Sequence, residues 1–149
     1  MKKLLILACL FFLFSCTTGS DIPVKRSIFV TGAAPMPRSE SYARKFESYD
    51  QYEAALDTEF NMPTVFRIYD EAFFESHDLI VAILRVSGSL NQQMFSLEGV
   101  HEKGGTINVK LRVTYPQGES PTVITMYTYL IHVDKMDEMP VHLDVTYVN

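Results

Sequence analysis

The sequence predicts an α+β fold, a mostly antiparallel β-sheet with one or two short helices near the start of the domain. From Leu79 onward, apolar residues either run without interruption or recur at every second position, which is typical of strands. The two helix-start signals, at Ser48 and Asp70, both precede that region. A pair of glycines, Gly104 and Gly105, marks a tight turn between two strand-like segments.

In the first part of the domain, the sequence predicts two short strands separated by an irregular stretch. Residues 27–31 read as a possible strand, and residues 32–41 follow without a regular pattern. Pro35 and Pro37 exclude both helix and regular strand there, because proline lacks the backbone N–H and fixes φ. A short strand is predicted at 43–46.

Two capped helices are predicted next. Ser48 can cap the first helix, and Gln51 lies three residues later, where its side chain can reach back as in a capping box. Asp70 is the predicted cap of the second helix. Phe73 and Phe74 then provide two aromatic anchors that can dock this short helix on a sheet.

The rest of the chain predicts strands. Residues 79–86 and 122–134 are apolar on both faces, so both should be buried strands. Residues 93–100 form a weaker strand, and residues 141–148 close the chain. Between them, residues 106–115 alternate strictly, with these side chains predicted to face the core: Ile107, Val109, Leu111, Val113 and Tyr115.

The N-terminal segment predicts export from the cytoplasm. Lys2 and Lys3 form a basic start, and residues 4–14 are an unbroken apolar run. Eleven residues suit the apolar part of a signal peptide and are too few for a helix that spans a bilayer, which needs about 20 residues. We therefore predict a cleaved signal peptide at 1–15.

The end of this segment resembles the lipobox of bacterial lipoproteins. Leu13 supplies the aliphatic residue three positions before a cysteine, and Ser15 supplies the small residue directly before it. Phe14 departs from the usual small or aliphatic residue between them. The resemblance implies that Cys16 becomes the mature N-terminus and carries a diacylglycerol, which anchors the protein to the membrane. The alternative is an ordinary secretory signal with a chance cysteine.

Cysteine content and charge restrict the disulfides and the binding partners of the mature protein. Cys9 is lost with the signal, so Cys16 is the single remaining cysteine and no intrachain disulfide is possible. Loss of Lys2 and Lys3 leaves 11 Lys and Arg residues against 18 Asp and Glu residues, a formal net charge of −7. This balance argues against nucleic acid as a partner and against electrostatic attraction to anionic lipid.

The sequence is interpreted as one domain on a tether. Residues 16–26 are small and polar with one proline, which predicts a lipidated N-terminus and a tether that lifts the domain off the bilayer. Residues 27–149 then form a single domain, with no internal repeat.

Residues 69–89, YDEAFFESHDLIVAILRVSGS, resemble the start of the PrcB-like domains, a bacterial family named for a subunit of a protease complex. Shared features are a Tyr-Asp-Glu-x-Phe-Phe motif, a polar break, an apolar strand and a Gly/Ser-rich turn. The chain has Ser87-Gly88-Ser89-Leu90 where PrcB itself has a Thr-Gly-Gly-Tyr-type turn. The resemblance implies an extracytoplasmic β-rich module with no known active site.

The strongest chemical pattern lies near the C-terminus. His132 with Asp134, and His142 with Asp144, form two His-x-Asp units whose side chains share a face in a strand. If the two strands formed a hairpin, the register would oppose His132 to Asp144 and Asp134 to His142, a set that could hold Zn²⁺. The alternative is a solvated face with two His–Asp pairs over an apolar layer.

Other catalytic patterns are absent from the sequence. It contains no Gly-x-Ser-x-Gly elbow, no phosphate-binding loop and no dinucleotide fingerprint. We therefore predict neither a catalytic residue nor a cofactor.

The predicted function is a non-catalytic, lipid-anchored extracytoplasmic module that binds a protein or peptide of the cell envelope. Its candidate contacts are the loops at 87–92 and 116–121, including Ser87, Gly88 and Ser89. Tyr127 and Tyr129 would add to such a surface if exposed, since tyrosine is enriched at interfaces. The alternative is a metal-binding protein or small metal-dependent hydrolase that uses the His-x-Asp hairpin.

Overall fold

The structure, a computed structural model, describes residues 19–31, 40–56, 58, 67–116 and 123–148. Cys16 and the signal segment lie outside the described residues, as do most of the irregular 32–41 stretch and of the 116–121 loop. The elements in chain order are β1 Ser20–Asp21, β2 Val24–Thr31, β3 Tyr42–Phe46, α1 Tyr49–Ala55, α2 Glu71–Ser76, β4 His77–Ser87, a short 3₁₀ helix Gln92–Met94, β5 Phe95–Lys103, β6 Thr106–Thr114, β7 Ile124–Asp134 and β8 Val141–Val148.

These strands form two four-stranded sheets that pack face to face, whereas the sequence predicted one sheet. The α+β class and the mostly antiparallel pairing are confirmed. The first sheet has the order β1-β5-β6-β8 and the second has the order β2-β7-β4-β3. All pairings are antiparallel except that of β6 with β8. Among the described residues, no helix is long and apolar enough to cross a membrane.

The second sheet is the middle layer of the molecule. Ile80, Leu84 and Tyr127 face the first sheet in one core. Leu79, Ile83 and Leu130 face the two helices in another core. Strands β4 and β7 are thus buried on both faces, as the apolar residues on both faces of each strand predict.

The alternating pattern of β6 is confirmed. Ile107, Val109, Leu111 and Val113 are at most 1% exposed, whereas Lys110 and Arg112 are on the solvent side. The turn before this strand is also as predicted, because Gly104 and Gly105 have φ of 62° and 73°. Two consecutive positive φ angles suit the two-residue hairpin loops that match the strand twist, and glycine adopts them without strain.

Both helix caps are confirmed. Ser48 Oγ accepts a hydrogen bond from Gln51 N–H at 3.4 Å, and Asp70 Oδ1 accepts one from Phe73 N–H at 3.0 Å. The Gln51 amide oxygen accepts from Glu47 N–H at 3.1 Å, one residue earlier than in a standard capping box.

The predicted tether at 16–26 is too long. Ser20 and Asp21 pair with Glu102 and His101 as strand β1, and β2 begins at Val24. Asp21 Oδ1 also lies 2.6 Å from His101 Nδ1. The small polar residues here are therefore part of the fold, since edge strands accept polar side chains on their solvent side, and the domain begins before residue 27.

The connection from β7 to β8, residues 135–140, is held by a buried carboxylate. Asp78 is fully buried, with Oδ1 2.9 Å from Lys135 Nζ and Oδ2 3.5 Å from Lys45 Nζ. Asp78 Oδ2 also accepts a hydrogen bond from Met136 N–H at 3.2 Å. The Lys45 ammonium, whose side chain is 3% exposed, donates to Asp137 O at 2.6 Å. This network fixes the path by which the chain leaves the middle sheet and enters the outer one.

Candidate functional site

One side of the sandwich is open between the edges of the two sheets. Strand β2 ends the second sheet on this side, and β1 ends the first sheet but covers only the last residues of β5. Ile22 N–H donates to Val100 O at 2.8 Å, where the chain crosses from one sheet to the other. Beyond that crossing, residues 95–99 of β5 have no partner strand on this edge among the described residues.

A groove of about 450 Å³ occupies the open side. Its apolar lining comes from Phe29 of β2, Phe95 and Leu97 of β5, and Tyr129 of β7. The remaining lining residues are neutral and polar: Ser27, Gln92, Gln93 and Ser96. Among the described residues, the groove therefore combines an apolar floor with a hydrogen-bonding rim that carries no charged side chain.

Aromatic rings pack closely at the base of this groove. The ring centroid of Phe29 lies 4.9 Å from that of Phe95 and 5.1 Å from that of Tyr129. Phe95 in turn lies 4.4 Å from Tyr127. The two distances from Phe29 fall in the favourable range for aromatic pairs, and the third lies at its short limit, so the groove has a preformed floor.

Tyr127 and Tyr129 would contribute to a binding surface only if they were exposed, and the structure does not meet that condition. Tyr127 is 1% exposed and Tyr129 is 5% exposed, because β7 lies in the middle layer. Burial raises the pKa of Tyr129 to about 12. Tyr129 nevertheless lines the groove, whereas Tyr127 lies behind it.

Tyr127 positions the loop that follows β4. Its hydroxyl accepts from Leu90 N–H at 2.5 Å and donates to Leu90 O at 2.9 Å. Within the same loop Ser87 and Ser89 are exposed, and Gly88 has φ of 102°. Of the predicted loop contacts, Gln92 lines the groove, and Ser87, Gly88 and Ser89 are not among the lining residues.

The His-x-Asp hairpin prediction is wrong. Both edges of β7 are already paired, with β2 and β4, so β8 cannot add to it and instead pairs in parallel with β6 in the other sheet. His132 faces the helices, and Asp134 pairs with Lys25 at 2.9 Å. His142 and Asp144 are exposed on the outer face of the first sheet. Among the described residues, no three His, Cys, Asp or Glu side chains are grouped to hold a metal ion.

His132 instead belongs to an aromatic cluster under helix α2. Its Nε2 shares a 2.6 Å hydrogen bond with the Tyr69 hydroxyl, and its ring lies 5.0 Å from the ring of Phe73. Burial lowers the pKa of His132 below its ordinary value, and the positive charges of Arg26 and His77 lower it further. The folded state thus binds a proton on His132 more weakly than the unfolded chain does.

This pKa shift predicts an acid-sensitive contribution to stability. The contribution is complete above the ordinary histidine pKa of 6.5 and decreases as the pH falls below it toward the lowered folded-state value. We expect the wild-type protein to lose more stability between pH 7.5 and pH 5.5 than the His132→Gln variant, measured by urea unfolding. Parallel pH profiles for wild type and His132→Gln would disprove this assignment.

Sequence reasoning missed most of the groove residues. Phe29, Phe95 and Leu97 are apolar residues of ordinary strands, and nothing local distinguishes a side chain at the open side from one inside the core. The two consecutive glutamines, Gln92 and Gln93, are the one local signal, since they place long neutral donors and acceptors in the short 3₁₀ helix directly before β5.

The chain was compared with family models, curated proteins and solved structures, and none of the three comparisons found a match.

Proposed function

We propose that this protein is a non-catalytic, lipid-anchored extracytoplasmic module that binds an extended segment of another envelope protein in the groove between β2 and β5. The observation that carries the proposal is the combination of two strand edges with an aromatic floor between them. Unpaired strand edges recruit extended peptides, because each added residue gains main-chain hydrogen bonds.

The groove suits side chains that alternate along such a segment. In a strand, every second side chain points to the same side, so one set can enter the groove while the other remains in solvent. A volume of about 450 Å³ accommodates one or two large apolar side chains. Burial of each such side chain contributes about 1.5–3 kcal/mol.

The neutral lining restricts which side chains the bound segment can place in the groove. A charged side chain inserted among Phe29, Phe95 and Tyr129 would lose its hydration without meeting an opposite charge. Apolar side chains avoid that cost, and the amides of Gln92 and Gln93 can satisfy neutral polar groups of the segment. The proposed ligand is therefore an extended, neutral segment with apolar residues at alternate positions.

Two features of the sequence support the location and the general role. The lipobox-like end of the signal at Leu13, Ser15 and Cys16 favours a lipid anchor. The resemblance of residues 69–89 to PrcB-like domains favours an extracytoplasmic β-rich module with no known active site. Membrane attachment through the lipid on Cys16 is part of the proposal.

Selection from a displayed library of random 12-residue peptides tests the proposed function. We expect the mature lipidated protein in detergent to enrich neutral peptides with apolar residues at every second position. Binding of these peptides should slow backbone amide exchange at residues 95–99. Enrichment of charged peptides, or no enrichment above a library passed over detergent alone, would refute the proposal.

A further inference from the structure

The first described residues dock the chain at one particular end of the sandwich. Strand β1 runs antiparallel to β5, with Asp21 opposite His101 and Ser20 opposite Glu102. Gly19 continues in the same direction and lies so close to β5 that a Cβ there would be 2.7 Å from Glu102 O. From Asp21 back to Gly19, the backbone therefore runs toward the end of the sandwich that holds the Gly104–Gly105 turn.

The connection between the lipid and this docking point is short. Only three residue steps separate Cys16 from Gly19. A fully extended chain spans at most about 3.6 Å per residue, so the connection reaches about 10 Å. This is less than half the length of β5, whose nine residues extend roughly 26 Å at about 3.3 Å per step.

The opposite end of the sandwich exposes apolar side chains. It holds the loop after β4 and the start of β7, because Ser87 pairs with Ile124 and Gly88 N–H donates to Val123 O. Val123 is 63% exposed and Ile124 is 53% exposed. Near the Gly104–Gly105 turn, by contrast, the outward residues are polar, including Glu102 and Lys103.

We propose that the lipid anchor holds the domain in one orientation, with the Gly104–Gly105 turn against the lipid headgroups and the loop at 87–91 directed away from the membrane. The interaction surface is the turn end, and its partner is the headgroup layer of the bilayer that holds the anchor. The proposal rests on the lipidation of Cys16 stated above. Polar residues at the turn suit contact with headgroups without insertion into the apolar layer. The groove then lies in the membrane-distal half of the domain, where Phe95 begins β5.

Single cysteines test this orientation directly. In the mature chain the one native cysteine is the acylated Cys16, so an introduced thiol can be labelled selectively. Lys103→Cys places a fluorophore beside the turn, and Ser89→Cys places it at the other end; both positions are exposed. Each lipidated variant is reconstituted in phosphatidylcholine vesicles that contain phosphatidylcholine with a nitroxide on its headgroup.

We expect the fluorophore at Lys103→Cys to be quenched at least threefold more strongly than the one at Ser89→Cys. Inserting 12 Gly/Ser residues before Gly19 in the Lys103→Cys protein should remove most of this extra quenching, since a flexible linker of that length adds about 19 Å of mean reach. Equal quenching at both positions, or stronger quenching at Ser89→Cys, overturns the proposed orientation.

Vesicle flotation separates this inference from its premise. A protein that floats with the vesicles but shows equal quenching is anchored without the fixed orientation, so the anchor survives and the orientation fails. A protein that remains at the bottom of the gradient lacks the anchor, and both the orientation and the lipid part of the proposed function fail.

Discussion

Replacing Asp78 with alanine is expected to lower the free energy of unfolding by about 3–5 kcal/mol. The carboxylate is fully buried and lies between Lys45 and Lys135. Its removal leaves the Lys45 ammonium, 3% exposed, with the partly exposed Glu47 carboxylate at 2.7 Å as its remaining ion-pair partner, and it takes from Lys135 a carboxylate at 2.9 Å. It also removes the acceptor for Met136 N–H and so loosens the connection that leads to β8.

A solvent-exposed ion pair with the same N···O distance provides the matched control. Asp134 Oδ2 lies 2.9 Å from Lys25 Nζ, the same separation as between Asp78 and Lys135, but the Asp134 side chain is 61% exposed. Because exposed pairs are screened by water, Asp134→Ala should cost less than about 1 kcal/mol.

Urea unfolding of the two variants measures both quantities. If Asp78→Ala does not fold, Asp78→Asn retains the shape of the side chain and should still be clearly less stable than Asp134→Asn. Equal losses at the two positions would mean that the buried network does not stabilise the fold.

Replacing Ser27 with arginine is expected to weaken binding of the selected peptides at least tenfold, which corresponds to about 1.4 kcal/mol. Ser27 lies on the exposed edge of β2 and lines the groove. A long charged side chain at this position would occupy the space above Phe29 and Phe95 and would meet no opposite charge in the lining. Because Ser27 is exposed, the substitution should affect the stability of the fold only slightly.

Thr146→Arg on β8 introduces the same side chain at another exposed strand position outside the groove. Affinities of the selected peptides for the three proteins can be measured by fluorescence polarisation, together with their thermal unfolding. We expect Thr146→Arg to bind as the wild type does. If Ser27→Arg also binds normally while folded, the peptides occupy another surface.

The predictions that succeeded depend on patterns within a single element. The alternation at 106–115 requires one buried face, and the structure buries Ile107, Val109, Leu111 and Val113 on it. The apolar residues on both faces of β7 require cover on both sides, which its position in the middle layer provides. Caps such as Asp70 act within one helical turn, so the sequence contains all the information they need.

The predictions that failed depend on which elements become neighbours. His132 and His142 lie in adjacent strands of the sequence, yet a hairpin between them is impossible once β2 and β4 occupy both edges of β7. The polar residues at 20–21 give no sign that they pair with residues 101–102, some 80 positions later. The groove is likewise created by edges that are distant in sequence, so its members could not be identified locally.

Amide hydrogen exchange at the edge of β5 tests the central claim most directly. The mature protein is measured alone and with a selected peptide, and exchange is compared for residues 95–99 and for β8, the edge strand of the same sheet. Strand addition in the groove predicts slower exchange at 95–99 and no change in β8. Slower exchange confined to β8, or unchanged exchange at both edges while the peptide is bound, would contradict the binding mode proposed for this protein.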